Sequence, residues 1–141
     1  MGLSYTSLEK SIIALESGIE IYNKKKLIEE NEDEIEIIKS GIIQNFEVAY
    51  EISWKLMKKW LEENLGWTAV DGISRKELFR IASQNKLIED VEKWFIFHEA
   101  RNLTSHDYDG IKAQDVFIQA LKFPKYARNL QERLEGIKWL L

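Results

Sequence analysis

Glu32–Asn64, EDEIEIIKSGIIQNFEVAYEISWKLMKKWLEEN, reads as one long helix. Ile35, Ile38, Ile42, Phe46, Ala49, Ile52 or Ser53, Leu56 and Trp60 recur at spacings of three and four, the period that gathers side chains on one helical face. The acidic start Glu32-Asp33-Glu34 complements the positive end of the helix dipole. At 1.5 Å per residue such a helix spans roughly 45–50 Å, longer than a typical globular helix, which predicts the spine of an elongated bundle. Ile37, Ile43, Val48, Trp54, Met57 and Leu61 widen the stripe beyond one contact face, and part of that surplus is expected to meet another subunit.

The segment before this spine predicts its antiparallel neighbour. A helix beginning near Thr6 places Leu8, Ile12, Leu15, Ile19 and Tyr22 on one side, and Lys24-Lys25-Lys26 suits its negative carboxyl end. After the spine, residues 65–73 form the main irregular connection. Ser74 followed by Glu77 matches a capping box and starts a short helix that runs to about Ser83 and is broken by Asn85-Lys86. A further helix from about Glu89 is expected to turn Val91, Trp94, Phe95, His98 and Asn102 inward. Periodicity resumes after Gly110, and Pro124, the one proline, predicts a kink or break there because it lacks an amide donor. Ala127, Leu130, Leu134, Ile137 and Leu141 then share one side. The expected fold is all-α: an up-and-down four-helix bundle with an additional short helix, one domain over residues 1–141.

Composition narrows the function. The 141 residues are 45% hydrophobic, enough for one core, and contain no cysteine and two histidines, so thiolate chemistry is excluded and no metal site is expected. The net charge is −4; residues 1–70 carry 8 basic and 13 acidic side chains and residues 71–141 carry 12 and 11. That balance argues against a duplex DNA surface and leaves room for local contact with single-stranded RNA. No segment approaches the roughly 20 apolar residues of a membrane span, and no basic region precedes an apolar run at the start, so a cytoplasmic location is expected. There is no glycine-rich phosphate cradle. Trp54, Trp60, Trp67, Trp94 and Trp139 are read as core and interface, with Trp67 as an exposed anchor.

The chemistry-bearing segment is Arg101-Asn102-Leu103-Thr104-Ser105-His106-Asp107-Tyr108-Asp109-Gly110. Arg101 and His106 differ by about 140° around an unbroken helix, but a helix ending near Ser105 lets both heads reach one cleft. His106 suits proton transfer at a ribose 2′-hydroxyl or a departing oxygen, and Arg101 suits developing charge on a phosphoryl group, with no metal needed. Asn102 and Ser105 are candidates to orient phosphate or imidazole, and Tyr108 to stack on a base or accept a transferred group. The plainer reading pairs Arg101 with Glu99, Asp107 or Asp109 and makes Asn102 a partner within a partly polar core. His98 is expected on the inner face with one nitrogen hydrogen-bonded, three residues from Arg101 and able to support its orientation. Asp107 and Asp109 are read as solvated carboxylates in preference to a magnesium site.

Two strings carry a resemblance: Asn45-Phe46-Glu47-Val48-Ala49-Tyr50-Glu51 followed by Trp54-Lys55, and Arg101-Asn102-Leu103-Thr104-Ser105-His106-Asp107-Tyr108. With them the chain resembles the nucleotidyltransferase substrate-binding family within the HEPN domain group. The resemblance implies a homodimeric helical bundle that associates with a cognate minimal nucleotidyltransferase, often as a toxin–antitoxin pair. It implies metal-independent ribonuclease activity at Arg101 and His106, with motifs from two subunits meeting at a cleft. It also implies silencing by adenylylation at Tyr108. ATP and magnesium would belong to the partner transferase, and this chain itself is expected to hold no cofactor. The competing reading is a non-catalytic substrate-binding or regulatory subunit of that transferase; a third is a structural adaptor in which Arg101 and His106 bridge subunits.

Overall fold

A computed structural model describes residues 4–28, 31–103 and 110–137. They form five helices, α1 (Thr6–Ile28), α2 (Glu32–Leu65), α3 (Arg75–Gln84), α4 (Val91–Leu103) and α5 (Gly110–Ile137), with a short 3-10 turn at Trp67–Ala69. Among the described residues there is no strand, and the fold is the all-helical bundle expected. No described helix is long and apolar enough to cross a membrane.

Cross-helix contacts give the direction of each element. Asn45 Nδ2 lies 3.5 Å from the Ala14 carbonyl, and Lys25 Nζ lies 3.8 Å from Glu34, so α1 and α2 run antiparallel. Their backbones come close at Gly18, where an added Cβ would sit 3.2 Å from Ile42 Cγ1. Arg128 of α5 forks onto Glu16 of α1 at 2.7 and 3.2 Å, and the Tyr5 hydroxyl, just before α1, donates to the Leu134 carbonyl at 3.4 Å. Helix α5 is therefore antiparallel to α1 and parallel to α2. Helix α4 opposes both α2 and α5, which completes the up-down-up-down order. Helices α2 and α5 face each other across the short diagonal, with α1 and α4 at opposite corners.

Phe123 occupies the centre. Its ring lies 5.2 Å from Phe46, 5.0 Å from Phe97 and 5.5 Å from Trp94, each edge to face, the arrangement favoured by the aromatic quadrupole. The short α3 closes one flank through Phe79, 5.7 Å from Trp94 and 6.3 Å from Tyr50. The apolar stripe of α1 is buried or partly buried as its spacing predicts, and Trp67 is 63% exposed.

Several local expectations are corrected. Ile43, Met57 and Leu61, placed in the surplus of α2, are absorbed by this chain's own core; Ile37 and Val48 remain exposed. Helix α4 turns Trp94, Phe97 and Ala100 fully inward, whereas Phe95 and His98 are half-buried and Asn102 is exposed. The difference arises because α4 is wedged between α5 and the α2–α3 pair, so its apolar residues divide between two neighbours. Only half of the capping box forms: Ser74 Oγ accepts from the Glu77 amide at 3.1 Å, while Glu77 Oε2 accepts from Arg80 at 3.0 Å. The amino end of α2 has a cap that its acidic run concealed, Asn31 Oδ1, which accepts from the amides of Asp33 and Glu34. Helix α5 continues through Pro124 without a break, because Phe123, Ala127 and Leu130 on either side are fully buried and hold it in register. Trp139 and Leu141 lie outside the described residues.

Candidate functional site

The last turn of α4 carries Arg101 and Asn102, and the face of α2 opposite it carries Glu47, Tyr50, Glu51 and Trp54. These four α2 positions are spaced three, one and three residues apart, which aligns them along one helical edge. The edge borders the apolar stripe, so its side chains are half-buried or buried and their polar atoms are paired across the interface.

Arg101 Nε sits 3.3 Å from Glu51 Oε1, and one terminal nitrogen sits 3.9 Å from Glu47 Oε2. The other oxygen of Glu51 accepts from the Trp54 indole at 2.8 Å. Arg75, the first residue of α3, lays its guanidinium over the Trp54 ring at 3.5 Å and donates to the Tyr50 hydroxyl at 3.1 Å. The Tyr50 hydroxyl also lies 2.8 Å from His98 Nδ1, and the Asn102 amide lies 3.3 Å from His98 Nε2.

The Tyr50 oxygen accepts from Arg75 and shares one hydrogen with His98 Nδ1, while the Asn102 amide faces His98 Nε2; the imidazole tautomer decides which ring nitrogen donates. Burial holds the His98 imidazole below its ordinary value, and Arg75 and Lys76 push in the same direction against Glu99 and Glu51. Burial also pushes the Tyr50 phenol up to about 12, with Arg75 opposing it through hydrogen bond and charge. Both groups are therefore neutral at pH 7, as the hydrogen-bonded chain requires.

Of the residues singled out by sequence, Arg101, Asn102 and His98 fall within this cluster. Ser105, His106 and Tyr108, together with Asp107 and Asp109, lie outside the described residues. His98 has a nitrogen hydrogen-bonded as expected, and its contacts run to Tyr50 and Asn102. The carboxylates described against Arg101 are Glu47 and Glu51, 54 and 50 positions earlier in the chain; the expected partners Asp107 and Asp109 lie outside the described residues. Sequence reasoning placed Glu47, Tyr50 and Glu51 only in the string that carries the resemblance, read Trp54 as core or interface, and gave none of them, nor Arg75, a role at the site. The available signal was a polar i, i+3, i+4, i+7 row at the edge of an apolar stripe. Between α2 and the start of α5 a groove of about 660 Å³ opens beside the cluster, lined by Glu36, Lys39, Ser40, Ile43, Gln44, Glu47, Ala113 and Gln114.

Residues 3–136 match the family described as nucleotidyltransferase substrate binding protein like. The chain is similar to a Haemophilus influenzae protein named probable ribonuclease HepT, 36% identical over 96 residues, a match that spans 67% of this chain and 66% of that relative's length. It is also similar to a solved Haemophilus influenzae structure, described as revealing the fold of a substrate binding domain of a nucleotidyltransferase. The TM-score there is 0.82 at 28% identity, covering 94% of this chain and 99% of the other. A Thermus thermophilus crystal structure shares the fold with a TM-score of 0.63 at 23% identity, over 85% of this chain and 98% of its own.

Proposed function

The chain belongs to the nucleotidyltransferase substrate-binding family, within the HEPN group, and on that premise we propose that it is the helical subunit of a two-protein module whose partner is a minimal nucleotidyltransferase. As a homodimer it cleaves single-stranded RNA at Arg101 and His106, and the partner silences it by adenylylating Tyr108. The observation that carries this reading is the placement of Arg101. Its guanidinium is held by carboxylates of α2 at the last turn of α4, and the chain passes from there directly into the segment containing His106 and Tyr108. The relative named a probable ribonuclease supports the same chemistry.

In the cleavage step the ribose 2′-oxygen attacks the adjacent phosphorus and the bond to the 5′-oxygen breaks, leaving a 2′,3′-cyclic phosphate and a 5′-hydroxyl. One His106 takes the 2′ proton and the His106 of the second protomer protonates the departing oxygen. Arg101 offsets the charge that builds on the phosphoryl oxygens. In the silencing step the Tyr108 oxygen attacks the α-phosphorus of ATP on the partner, and pyrophosphate departs. A bulky, negatively charged adduct two residues from His106 would repel RNA.

The second reading is a non-catalytic subunit that presents a substrate to the transferase. The groove beside Glu47 favours it, as does the neighbour described as a substrate binding domain. Purified dimer incubated with single-stranded RNA separates the two. Arg101→Ala and His106→Ala should each lower cleavage by at least about 100-fold if the first holds; cleavage that is absent from the parent, or equal in all three, favours the second. Intact mass after incubation with the transferase and ATP tests the silencing step, because an adenylyl adduct should vanish in Tyr108→Phe.

A further inference from the structure

We propose that α2 acts as a positioning rail for the Arg101–Asn102 pair, with Glu51 as the positioning residue for Arg101. The proposal deepens the ribonuclease reading and rests on it for its catalytic consequence.

Glu51 is held from both sides. Its Oε2 takes the Trp54 indole hydrogen at 2.8 Å, which fixes the carboxylate plane and holds Oε1 in an ion-pair contact with Arg101 Nε, 3.3 Å away. Trp54 is pinned in turn by the Arg75 guanidinium stacked at 3.5 Å, and Arg75 is tied back to α2 through the Tyr50 hydroxyl at 3.1 Å. Tyr50 and Trp54, one helical turn apart, are thereby bridged by a single residue of α3. The same rail governs Asn102 through His98, whose Nδ1 is 2.8 Å from Tyr50 and whose Nε2 is 3.3 Å from the Asn102 amide. Adjacent residues of α4, on different sides of that helix, are thus both set by one edge of α2.

Charge excludes the alternative that Glu51 serves RNA affinity. Glu47 and Glu51 place two carboxylates against one guanidinium, an arrangement that repels an anionic substrate. Any benefit to the reaction therefore lies in orientation: a planar guanidinium held beside the Glu51 and Glu47 carboxylates meets phosphate without a search among rotamers. Orientation and affinity have opposite signatures. Removing the Glu51 charge should lower kcat while leaving KM unchanged or reduced.

The experiment compares the full chain with E51Q, W54F and the double variant, with R101A as the reference for lost activity. Thermal melts accompany each variant, so that activity is compared only among folded proteins. E51Q is expected to lower kcat about 10-fold or more with KM unchanged or lower. W54F, which keeps the carboxylate and removes only its indole anchor, should shift kcat the same way by less. The double variant should be no worse than E51Q, because Trp54 acts through Glu51. A kcat that is unchanged or raised in E51Q overturns the proposal while leaving the ribonuclease reading intact. A second readout does not need cleavage: the Arg101 Nε–Hε nuclear magnetic resonance signal should move in E51Q and, less, in W54F. If the parent protein cleaves no RNA yet that signal moves, the clamp stands and the ribonuclease reading falls. If the signal does not move, the clamp is wrong whatever the cleavage result.

Discussion

Tyr50 is fully buried, and its hydroxyl serves Arg75 and His98 at once. Tyr50→Phe keeps the ring and removes that oxygen, leaving the two partners without it. A loss of about 1–3 kcal/mol in unfolding free energy is expected, read as a lower urea midpoint with unchanged slope. His98 gives the network a pH dependence whose sign follows from its neutral state. Its native value lies below the ordinary 6.5, chiefly through burial and then through Arg75 and Lys76 of α3, while Glu99 of α4 and Glu51 of α2 act the other way. Above pH 6.5 both folded and unfolded chains carry neutral His98, and the group contributes nothing to the pH slope. As pH falls below 6.5 the unfolded chain takes up a proton that the folded chain resists, so stability declines until the native value is passed. Urea titrations between about pH 5 and 7 should show this decline, and His98→Asn should flatten it. At this scale the chain announced Arg101, Asn102 and His98 through residue type and spacing. Their partners were not legible, since Glu47 and Glu51 lie 54 and 50 positions away and a polar row at the edge of the α2 stripe does not say which side chain it meets.

Helix α5 shows how an element overrides a local rule. Pro124 cannot donate to the carbonyl of Ala120, yet the helix runs continuously from Gly110 to Ile137. Packing of Phe123, Ala127 and Leu130 offsets that lost bond. Pro124→Ala restores the amide donor in a backbone already helical, and is expected to stabilise the protein by about 1–3 kcal/mol. A differential melt should show a rise of several degrees; a fall would mean that the ring's contacts along the groove it shares with Leu121 and Ile19 matter more than the hydrogen bond. Helix α4 carries a related lesson. Its periodicity identified a helix but misjudged which residues face inward, because two neighbours compete for its surface and the apolar moment averages over both. Helix α1, whose packing is dominated by α2, was read with the right face.

At the scale of the whole molecule the bundle converges on Phe123, which touches rings from both α2 and α4. Phe123→Ala is expected to cost about 3–5 kcal/mol in chemical denaturation, since it removes a fully buried ring and leaves a cavity that four helices must collapse to fill. The same convergence ties stability to the candidate site: Phe46 and Tyr50 of this cluster stand on the α2 segment that holds Arg101, so loosening the centre should also loosen the rail. By itself the amino-acid order determined the number of helices, most of their ends, the phase of the strongest stripes and the place of Arg101 near a helix terminus. Those properties depend on hydrogen bonds and side-chain spacing within a segment, which a few neighbouring residues control. Only the tertiary structure decided which faces meet, that α2 supplies the carboxylates and the phenol around α4, and that α5 passes Pro124 unbroken. Each of those outcomes depends on packing energies shared among helices far apart along the chain, and a periodic pattern specifies a face to be covered without specifying what covers it.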